Sequence, residues 1–351
     1  MVFLVDKYSP KTISDAYFHK DILAMLETMS KDESIPHIIF YGPYGSGKKT
    51  LIRLLLELLY DRHVTQTDDT LYTVVGSGNK PTEVMVKQSN YHIVIEPNNN
   101  NFDRYLIQDI VKEYAKRIPL NVYKVNRVFK TVLINNLDSM SYYAQTSLRR
   151  TMEKYSGTCR FVMWCRSLSQ VIEPLISRCV CIRVDSPNNN ELFGYLYNIA
   201  ANEKINLQIN DYHDIIRYAN GNIKKAIWQL ELIRNKLNKE TIYEETINQI
   251  INKILLSDTY LINEIRTLNY NIMITNITGS NIINDLTQGL CSEQIPDTIK
   301  YRILEIAARY EHNIKKGRRE MIHIEAFIMN VMRLIYIGKQ KKPEKKIVVK
   351  K

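Results

Sequence analysis

The stretch from Gly42 to Thr50, read as GPYGSGKKT, constrains the fold of this chain more than any other feature. It matches the phosphate-binding pattern Gly-x-x-x-x-Gly-Lys-[Ser/Thr], in which backbone N–H groups surround phosphate oxygens and the lysine reaches the terminal phosphates. The last position of that pattern supplies a hydroxyl that ligates magnesium. Here Lys49 holds that position, and Thr50 follows one residue late. The sequence therefore predicts a nucleotide site whose usual metal ligand is missing.

The residues around this loop supply the strand, turn and helix that a phosphate site requires. His37 to Tyr41 is a short apolar run typical of a buried parallel strand, and Lys49 to Tyr60 repeats leucine at helical spacing. The helix N-terminus then faces the anion. The loop residues expected to contact a nucleotide are Gly42, Pro43, Tyr44, Gly45, Ser46, Gly47, Lys48, Lys49 and Thr50.

The first half of the chain alternates strand-like and helix-like segments, which predicts an α/β domain with a mostly parallel sheet. Leu71 to Val75 and Glu83 to Lys87 flank a turn and indicate an inserted hairpin. Buried strands are expected at His92 to Glu96, Phe129 to Ile134 and Phe161 to Cys165.

The pattern changes at Pro187, after which helical periodicity dominates to about Ile337. Short polar turns separate the later segments, as in a helical bundle. The predicted domains are an α/β nucleotide-binding domain over 1–186, a helical lid over 187–238, a helical collar for oligomerisation over 239–337 and a basic disordered tail over 338–351.

Two asparagines stand where a nucleotide-hydrolysing site of this kind needs carboxylates. In such sites a second strand ends in an aspartate that organises magnesium and a glutamate that activates water. Here the apolar strand is followed by Asn135 and Asn136, which carry no negative charge and cannot act as a base. Loss of general-base assistance alone costs roughly 10²–10⁴ in rate. Asp138 lies three residues beyond Asn135, where it is poorly placed to substitute.

Lys49 leaves two alternatives open. Its ammonium group could lie near the cation position and neutralise phosphate charge, which favours metal-poor nucleotide binding, or it could point to solvent. The expected cofactor is ATP or ADP, no metal is assigned to side chains of this chain, and a role for magnesium stays open. Nucleotide titration with and without magnesium distinguishes the two alternatives.

Composition limits the remaining possibilities. The net charge of +11 suggests an acidic partner, but the stretch Lys339 to Lys351 holds seven lysines and one glutamate and so carries +6 of it. This tail either attracts nucleic acid weakly or only keeps the chain soluble.

The five cysteines show no Cys-x-x-Cys pair, which predicts reduced thiols and no zinc site. No signal peptide or bilayer-length apolar run is recognised, so no membrane is expected.

Further motifs link the loop to a known family. They are DKYSP at Asp6 to Pro10, LRRTMEKYS at Leu148 to Ser156 and SRC at Ser177 to Cys179. With the GKKT loop, these motifs make the chain resemble the small subunits of replication factor C, the eukaryotic sliding-clamp loader of the AAA+ class. It looks most like the subtype with a degenerate second acidic motif, and the resemblance runs from about residue 2 to residue 335.

The resemblance implies an AAA+ module followed by a lid and a collar, in a subunit of a hetero-pentamer. Such a complex loads a PCNA-type clamp onto primer–template DNA, in the nucleus or at the replication site of a large DNA virus. Arg178 matches the arginine that reaches into the ATP site of the neighbouring subunit and acts there in trans. A purely structural arginine at a helix end is the other interpretation of Arg178.

The chain also departs from the family pattern. Arg166 replaces the asparagine of the first sensor, and Lys224 stands where the second sensor has an arginine. Tyr8 and Pro10 remain as expected adenine neighbours. These departures weaken hydrolysis more than binding.

The resemblance also gives a role to the helix expected from Asp103 to Lys116. The candidate clamp contacts on this helix are Tyr105, Leu106 and Ile110, and the candidate DNA contacts are Arg104 and Lys112. Core packing is the other interpretation for the first set, and ordinary solvated charge is the other interpretation for the second.

Two other functions are compatible with the sequence. The first is an active AAA+ ATPase, such as a helicase-like motor, which turnover by the purified chain would reveal. The second is a scaffold with an empty vestigial pocket, against which retained nucleotide would argue.

Overall fold

The computed structural model describes residues 3–32, 34–60, 64, 66–75, 81–97, 103–116, 129–235, 242–274, 277–317 and 319–340. The chain divides into two compact units, Met1–Leu237 and Asn238–Lys351. The first unit contains a sheet and helices, and the second is helical. Outside the described residues lie the turn of the predicted hairpin, residues 117–128, the junction of the two units and most of the basic tail.

The described strands of the first unit form one mostly parallel sheet. They are β1 His37–Tyr41, β2 Asp68–Val75, β3 Pro81–Gln88, β4 His92–Ile95, β5 Lys130–Ile134, β6 Cys159–Cys165 and β7 Cys179–Arg183. Their order is β2-β3-β4-β5-β6-β1-β7. The pairs from β4 through β5, β6 and β1 to β7 are parallel, and β2 and β3 form the antiparallel edge. This confirms the predicted α/β class.

Strand β7 has no counterpart in the sequence analysis. Only Ile182 among its residues is fully buried, since β7 is an edge strand next to β1. The apolar signal that identified β1, β5 and β6 is therefore weak at β7.

Helices pack on both faces of the sheet. Those of the strand-bearing region are α1 Leu4–Lys7, α2 Lys20–Lys31, α3 Lys48–Leu59, α4 over 103–116, α5 Tyr142–Lys154 and α6 Glu173–Ile176. The predicted helix at α4 is present, but its central part, Leu106–Val111, is π-helical. Ser141 caps the start of helix α5, since its hydroxyl accepts a hydrogen bond from the N–H of Ala144.

Alternate residues of each central strand enter two separate apolar layers. Ile39 and Met163 pack with α4 and α5 in one layer, whereas Phe40 and Trp164 pack with α2 and α3 in the other. Because both faces of the sheet are covered, its central strands are continuous apolar runs, as parallel strands in α/β folds are. This arrangement fixes the loop after β1 at the carboxyl edge of the sheet.

Three further helices complete the first unit, and they are called the lid helices below because they fall within the span predicted as a lid. They are α7 Asn189–Glu203, α8 Ile209–Ala219 and α9 Ile223–Arg234. Leu4 is fully buried in their apolar core, and its backbone N–H donates to Glu231 Oε2 at 3.1 Å. The N-terminal segment thus packs against the lid helices, and the division at residue 186 stays a prediction.

The second unit is built from helices around one apolar core. Its described helices are α10 Ile242–Leu256, α11 Ile262–Ile274, α12 Gly279–Ser292, α13 Asp297–Lys316 and α14 Glu320–Gln340. The stretch Glu320–Lys339 is long and apolar enough to cross a membrane by length and composition, so the expectation that no run approaches that length was wrong. Ile324, Phe327 and Val331 of this stretch are buried in the core of the unit.

Candidate functional site

A cavity of about 470 Å³ lies at the carboxyl end of β1 in the first unit. It is bordered by the N-terminal segment, the loop between β1 and α3, and the start of α9. The predicted nucleotide residues that line it are Tyr8, Pro10, Tyr44, Gly45, Ser46, Gly47, Lys48, Lys49, Thr50 and Lys224. The structure therefore brings most of the predicted site together.

The loop glycines are required by close contacts as well as by backbone conformation. Gly42 has φ +152°, and a Cβ there would lie 2.0 Å from the carbonyl oxygen of Val184. Gly45 has φ +73°, and its Cβ would lie 2.0 Å from Asn222 Oδ1. The loop is thus held between Val184, which follows β7, and Asn222, the residue that caps the start of α9.

Lys48 lies inside the curve of this loop. Its Nζ donates to the carbonyl oxygens of Gly42 at 2.7 Å and Pro43 at 2.5 Å. Gly42 and Pro43, which were predicted to contact the nucleotide, do not line the cavity. Their carbonyl oxygens instead hold the ammonium group of Lys48. Burial lowers the pKa of Lys48, although the Cys165 thiol and the Asp138 carboxyl act in the opposite direction. The loop therefore offers one positive charge at the point where phosphate would bind.

Trp164 is the main site residue that the sequence analysis missed. Only 5% of this residue is exposed, and its indole lines the cavity. The Nζ atoms of Lys48 and Lys49 lie 5.5 Å and 5.4 Å from its ring centroid. The available signal was its position as the penultimate residue of β6, two residues before Arg166. Lys49 is exposed and also directed to this ring, so its placement combines features of both predicted alternatives.

Asn135 does not line the cavity but holds the indole of Trp164 through a hydrogen bond. Its Oδ1 accepts from Trp164 Nε1 at 2.8 Å, and its Nδ2 donates to Glu96 Oε1 at 2.7 Å. Asn136 does line the cavity, with φ +49° and a buried Oδ1 that has no hydrogen-bond partner among the described residues. One amide is therefore structural and the other faces the site.

Arg166 lies beside the site rather than in it. Its backbone N–H and its Nε each donate to Asp138 Oδ2 at 3.2 Å, and its guanidinium carbon lies 4.9 Å from the Tyr44 ring centroid. The arginine thus neutralises Asp138, the carboxylate nearest in sequence to the missing acidic pair.

The side chains around this cavity do not fit magnesium. Magnesium sites are usually built from one or two carboxylates together with substrate phosphates. Asp15 is the acidic residue among the cavity-lining side chains of the described chain, and its Oδ2 already accepts from the N–H and hydroxyl of Thr12 at 3.1 and 2.8 Å. Nor do the described residues contain a group of three His, Cys, Asp or Glu side chains that could hold a metal ion.

The opposite end of the cavity is apolar and aromatic. The Tyr195 hydroxyl donates to the carbonyl of Tyr8 at 3.1 Å, and Arg53 of α3 donates to Ser9 Oγ and to the carbonyl of Pro10. The hydroxyl of Tyr8 donates to Glu203 at 2.9 Å. The N-terminal segment is thus tied to both α3 and the lid helices, and Tyr8 and Pro10 line the cavity there.

Two contacts connect the loop to its neighbours. The backbone N–H of Ile223 donates to the carbonyl of Gly45 at 3.1 Å, which places the following residue, Lys224, on the cavity wall. His19 Nε2 lies 2.8 Å from the carbonyl oxygen of Ser46. His19 was not predicted, because its distance from the loop in sequence gave no indication of this contact.

Comparison with known proteins identifies the family. A family model described as "Replication factor C subunit 3, C-terminal domain" matches residues 243–339, and one described as "DNA polymerase III, delta subunit" matches residues 18–188. A replication factor C small subunit of Acanthamoeba polyphaga mimivirus is 40% identical over 349 residues, covering 98% of this chain and 94% of that protein. The chain belongs to the replication factor C small-subunit family.

Eukaryotic members of the replication factor C family are similar over almost the same length. Human replication factor C subunit 3 is 32% identical and covers 95% of this chain and 96% of its own length. Replication factor C subunit 5 from Oryza sativa subsp. japonica is 31% identical, and the match covers 93% of this chain and 96% of that protein. Membership confirms the predicted family and implies hetero-oligomeric clamp-loader partners.

The two most specific replication factor C motifs meet in the structure. Arg178 follows α6, and its NH2 lies 2.6 Å from Glu153 Oε1 near the end of α5. Its NH1 donates to the carbonyl of Pro174 at 2.7 Å. The Arg178 side chain is 38% exposed and does not line this chain's own cavity, so it is accessible to a neighbouring molecule.

The candidates on α4 fall into different environments. Ile110 is 2% exposed and lies in the core, so the clamp contact predicted for it is wrong in this structure. Tyr105 is half-buried, and the side chain of Leu106 lies outside the described residues. Arg104 and Lys112 are exposed, as a phosphate contact requires.

Proposed function

We propose that this chain binds an adenine nucleotide, ATP or ADP, without hydrolysing it, as a resident part of a clamp-loader complex. The observation that carries the proposal is the amide pair Asn135 and Asn136 at the carboxyl end of β5, where a catalytic base and a metal-organising carboxylate are needed. The phosphate loop, Lys48 and the flat aromatic end of the cavity support binding. The engagement of Asp138 by Arg166 supports the absence of hydrolysis, since that carboxylate is already neutralised.

We further propose that Arg178 acts in trans on the nucleotide of an adjacent subunit. Its partial exposure and its distance from the chain's own cavity support this role. Arginine fingers raise the rate of phosphoryl transfer by about 10³–10⁵ because they stabilise charge on the transferring phosphoryl group. The chain thus contributes to hydrolysis without performing it.

The partners proposed for the whole complex follow from the family. We propose a hetero-pentamer that loads a PCNA-type clamp onto primer–template DNA, in the nucleus or at the replication site of a large DNA virus. Tyr105 is the clamp contact that remains a candidate together with Leu106. The exposed cations Arg104 and Lys112 would contact DNA phosphates, which contribute affinity without sequence choice.

The test is co-purification of the full chain with the other clamp-loader subunits, followed by analysis of bound nucleotide and of turnover by the chain alone. We expect retained ATP or ADP and no turnover by the isolated chain. Brisk hydrolysis by the isolated chain would instead support an active ATPase, and an empty site in the purified complex would support a scaffold.

A further inference from the structure

We propose that Trp164 holds the ammonium groups of Lys48 and Lys49 beside its indole ring, and that Lys49, added to the ordinary loop lysine Lys48, offsets phosphate charge in place of magnesium, so that the site binds metal-free nucleoside polyphosphate. These three residues are called the two-lysine site below. The inference rests on the proposed nucleotide binding and specifies the form of the nucleotide that is bound. It also makes Trp164 a specificity-determining residue.

The indole is held in a fixed position. Trp164 Nε1 donates to Asn135 Oδ1 at 2.8 Å, and the same amide donates to Glu96 at 2.7 Å. These contacts run across the carboxyl ends of β6, β5 and β4. The ring is also buried, with 5% of Trp164 exposed. Both lysines therefore meet a preformed aromatic surface at the first turn of α3.

The two-lysine site carries one ammonium group more than an ordinary phosphate loop. The lysine at the position of Lys48 also occurs in loops that bind magnesium, so Lys49 is the added positive charge, and within the described parts of the chain neither lysine forms a salt bridge. An aromatic face attracts cations but adds no negative charge. The positive charge of both lysines thus remains available to phosphate oxygens, and Trp164 offsets part of the repulsion between them.

Magnesium would have to enter this site against its charge. The hydroxyl that normally ligates the ion is replaced by Lys49, and the amide of Asn135 is engaged at both ends. Asp138 Oδ2 is held by Arg166 at 3.2 Å. Two oxygens here have no hydrogen-bond partner among the described residues, Asn136 Oδ1 and Asp138 Oδ1. The first lines the cavity but is neutral, and Asp138 does not line the cavity. A nucleotide that arrives with magnesium therefore gains little from the metal.

The experiment measures the Kd of the full chain for ADP and for ATP, with excess magnesium and with excess EDTA. Trp228→Phe serves as the background and control, because Trp228 is the other of the two tryptophans. Its ring packs against Phe3 at an interplanar angle of 49°, and Trp228 does not line the cavity. Fluorescence then reports Trp164 alone. We expect the fluorescence of Trp164 to change when nucleotide binds. We also expect the Kd in EDTA to differ from the Kd in magnesium by less than about threefold, since the protein makes no contact that only the metal-bound nucleotide can form.

Three variants test the residues. Trp164→Leu should weaken metal-free binding by about 2- to 30-fold, the range that cation–π contacts cover, as measured by calorimetry. Trp164→Phe keeps an aromatic ring and should retain more affinity, which guards against misfolding of the leucine variant. Lys49→Thr restores the hydroxyl and should make binding magnesium-dependent. Combined with Trp164→Leu, its effect should be less than additive because the two residues act together.

The outcomes separate this inference from the function on which it rests. Binding that magnesium tightens tenfold or more in the unsubstituted chain overturns the two-lysine site, and so does unchanged metal-free affinity in both Trp164 variants. Absence of nucleotide binding under either condition overturns the proposed function itself.

Discussion

The guanidinium of Arg178 lies 2.6 Å from the carboxylate of Glu153, so the SRC motif and the LRRTMEKYS motif meet at one ion pair on the surface of the first unit. Both side chains are partly exposed, at 38% and 44%. Exposed ion pairs contribute about 0.2–1 kcal/mol, which is too little to hold Arg178 against a phosphate of higher charge. The pair therefore orients the arginine while leaving it able to move to a neighbouring site.

The first prediction concerns Glu153→Gln. Because the ion pair is weak, we expect the free energy of unfolding to fall by less than about 1 kcal/mol and the ATPase rate of the assembled complex to stay within about fivefold of normal. Urea unfolding and a steady-state ATPase assay measure these two quantities. A loss of turnover as large as that of Arg178→Ala would show that Glu153 takes part directly.

The second prediction compares two loop glycines. In Gly42→Ala the new Cβ meets the backbone oxygen of Val184, which cannot rotate away, whereas in Gly45→Ala it meets the side chain of Asn222. Asn222 can turn aside at the cost of its cap on α9, about 1 kcal/mol. Backbone strain adds about 1–3 kcal/mol at each position. Thermal unfolding should show the larger loss for Gly42→Ala, and equal or reversed losses would contradict the packing.

The third prediction concerns pH. Burial lowers the pKa of His92 from 6.5 to about 4, and its Nδ1 lies 2.7 Å from Ser89 Oγ. As the pH falls, His92 therefore becomes protonated near pH 6.5 in the unfolded chain, but only near pH 4 in the folded chain. Stability should fall as the pH drops through this window, by about 3 kcal/mol for this residue when the window has been crossed.

Urea midpoints between pH 7.5 and pH 4.5 measure the effect of His92. The matched variant is His92→Gln, which keeps a polar side chain but does not titrate. Its stability should decline less steeply with falling pH than that of the unsubstituted chain. Identical slopes would mean that folding does not lower the pKa of His92.

The fourth prediction tests the N-terminal segment. Leu4 is fully buried among the lid helices, whereas its neighbour Phe3 is 53% exposed. Leu4→Ala should cost about 2–5 kcal/mol, as large-to-small changes in a core do. It should also weaken nucleotide binding, because the following residues line the cavity. Phe3→Ala is the control and should change both quantities less; equal effects would contradict the docking of this segment.

The sequence predicted the parts of the site that depend on local pattern. The loop glycines, Lys48 and the apolar strand β1 lie close together in the chain, so spacing alone identified them. Trp164 and His19 reach the cavity through contacts between distant segments, which no local pattern encodes. The sequence left clamp contact and core packing both open for Ile110 for a similar reason, since the core that buries it includes strands from elsewhere in the chain.

The same distinction between local pattern and distant contact applies to the asparagine pair after β5. The sequence itself shows that Asn135 and Asn136 stand where carboxylates are expected. The engagement of Asn135 with Trp164 and Glu96 was not visible, because it joins three strand ends that only the parallel pairing of β4, β5 and β6 brings together.

The most direct test of the account compares two versions of the assembled complex, one with Lys48→Ala and one with Arg178→Ala in this chain. We predict that Arg178→Ala removes the part of the complex's ATPase rate that comes from the adjacent subunit's site, while this chain retains its nucleotide. Lys48→Ala should empty this chain's site with turnover preserved in complexes that still assemble. Turnover lost with Lys48→Ala and unaffected by Arg178→Ala would contradict it.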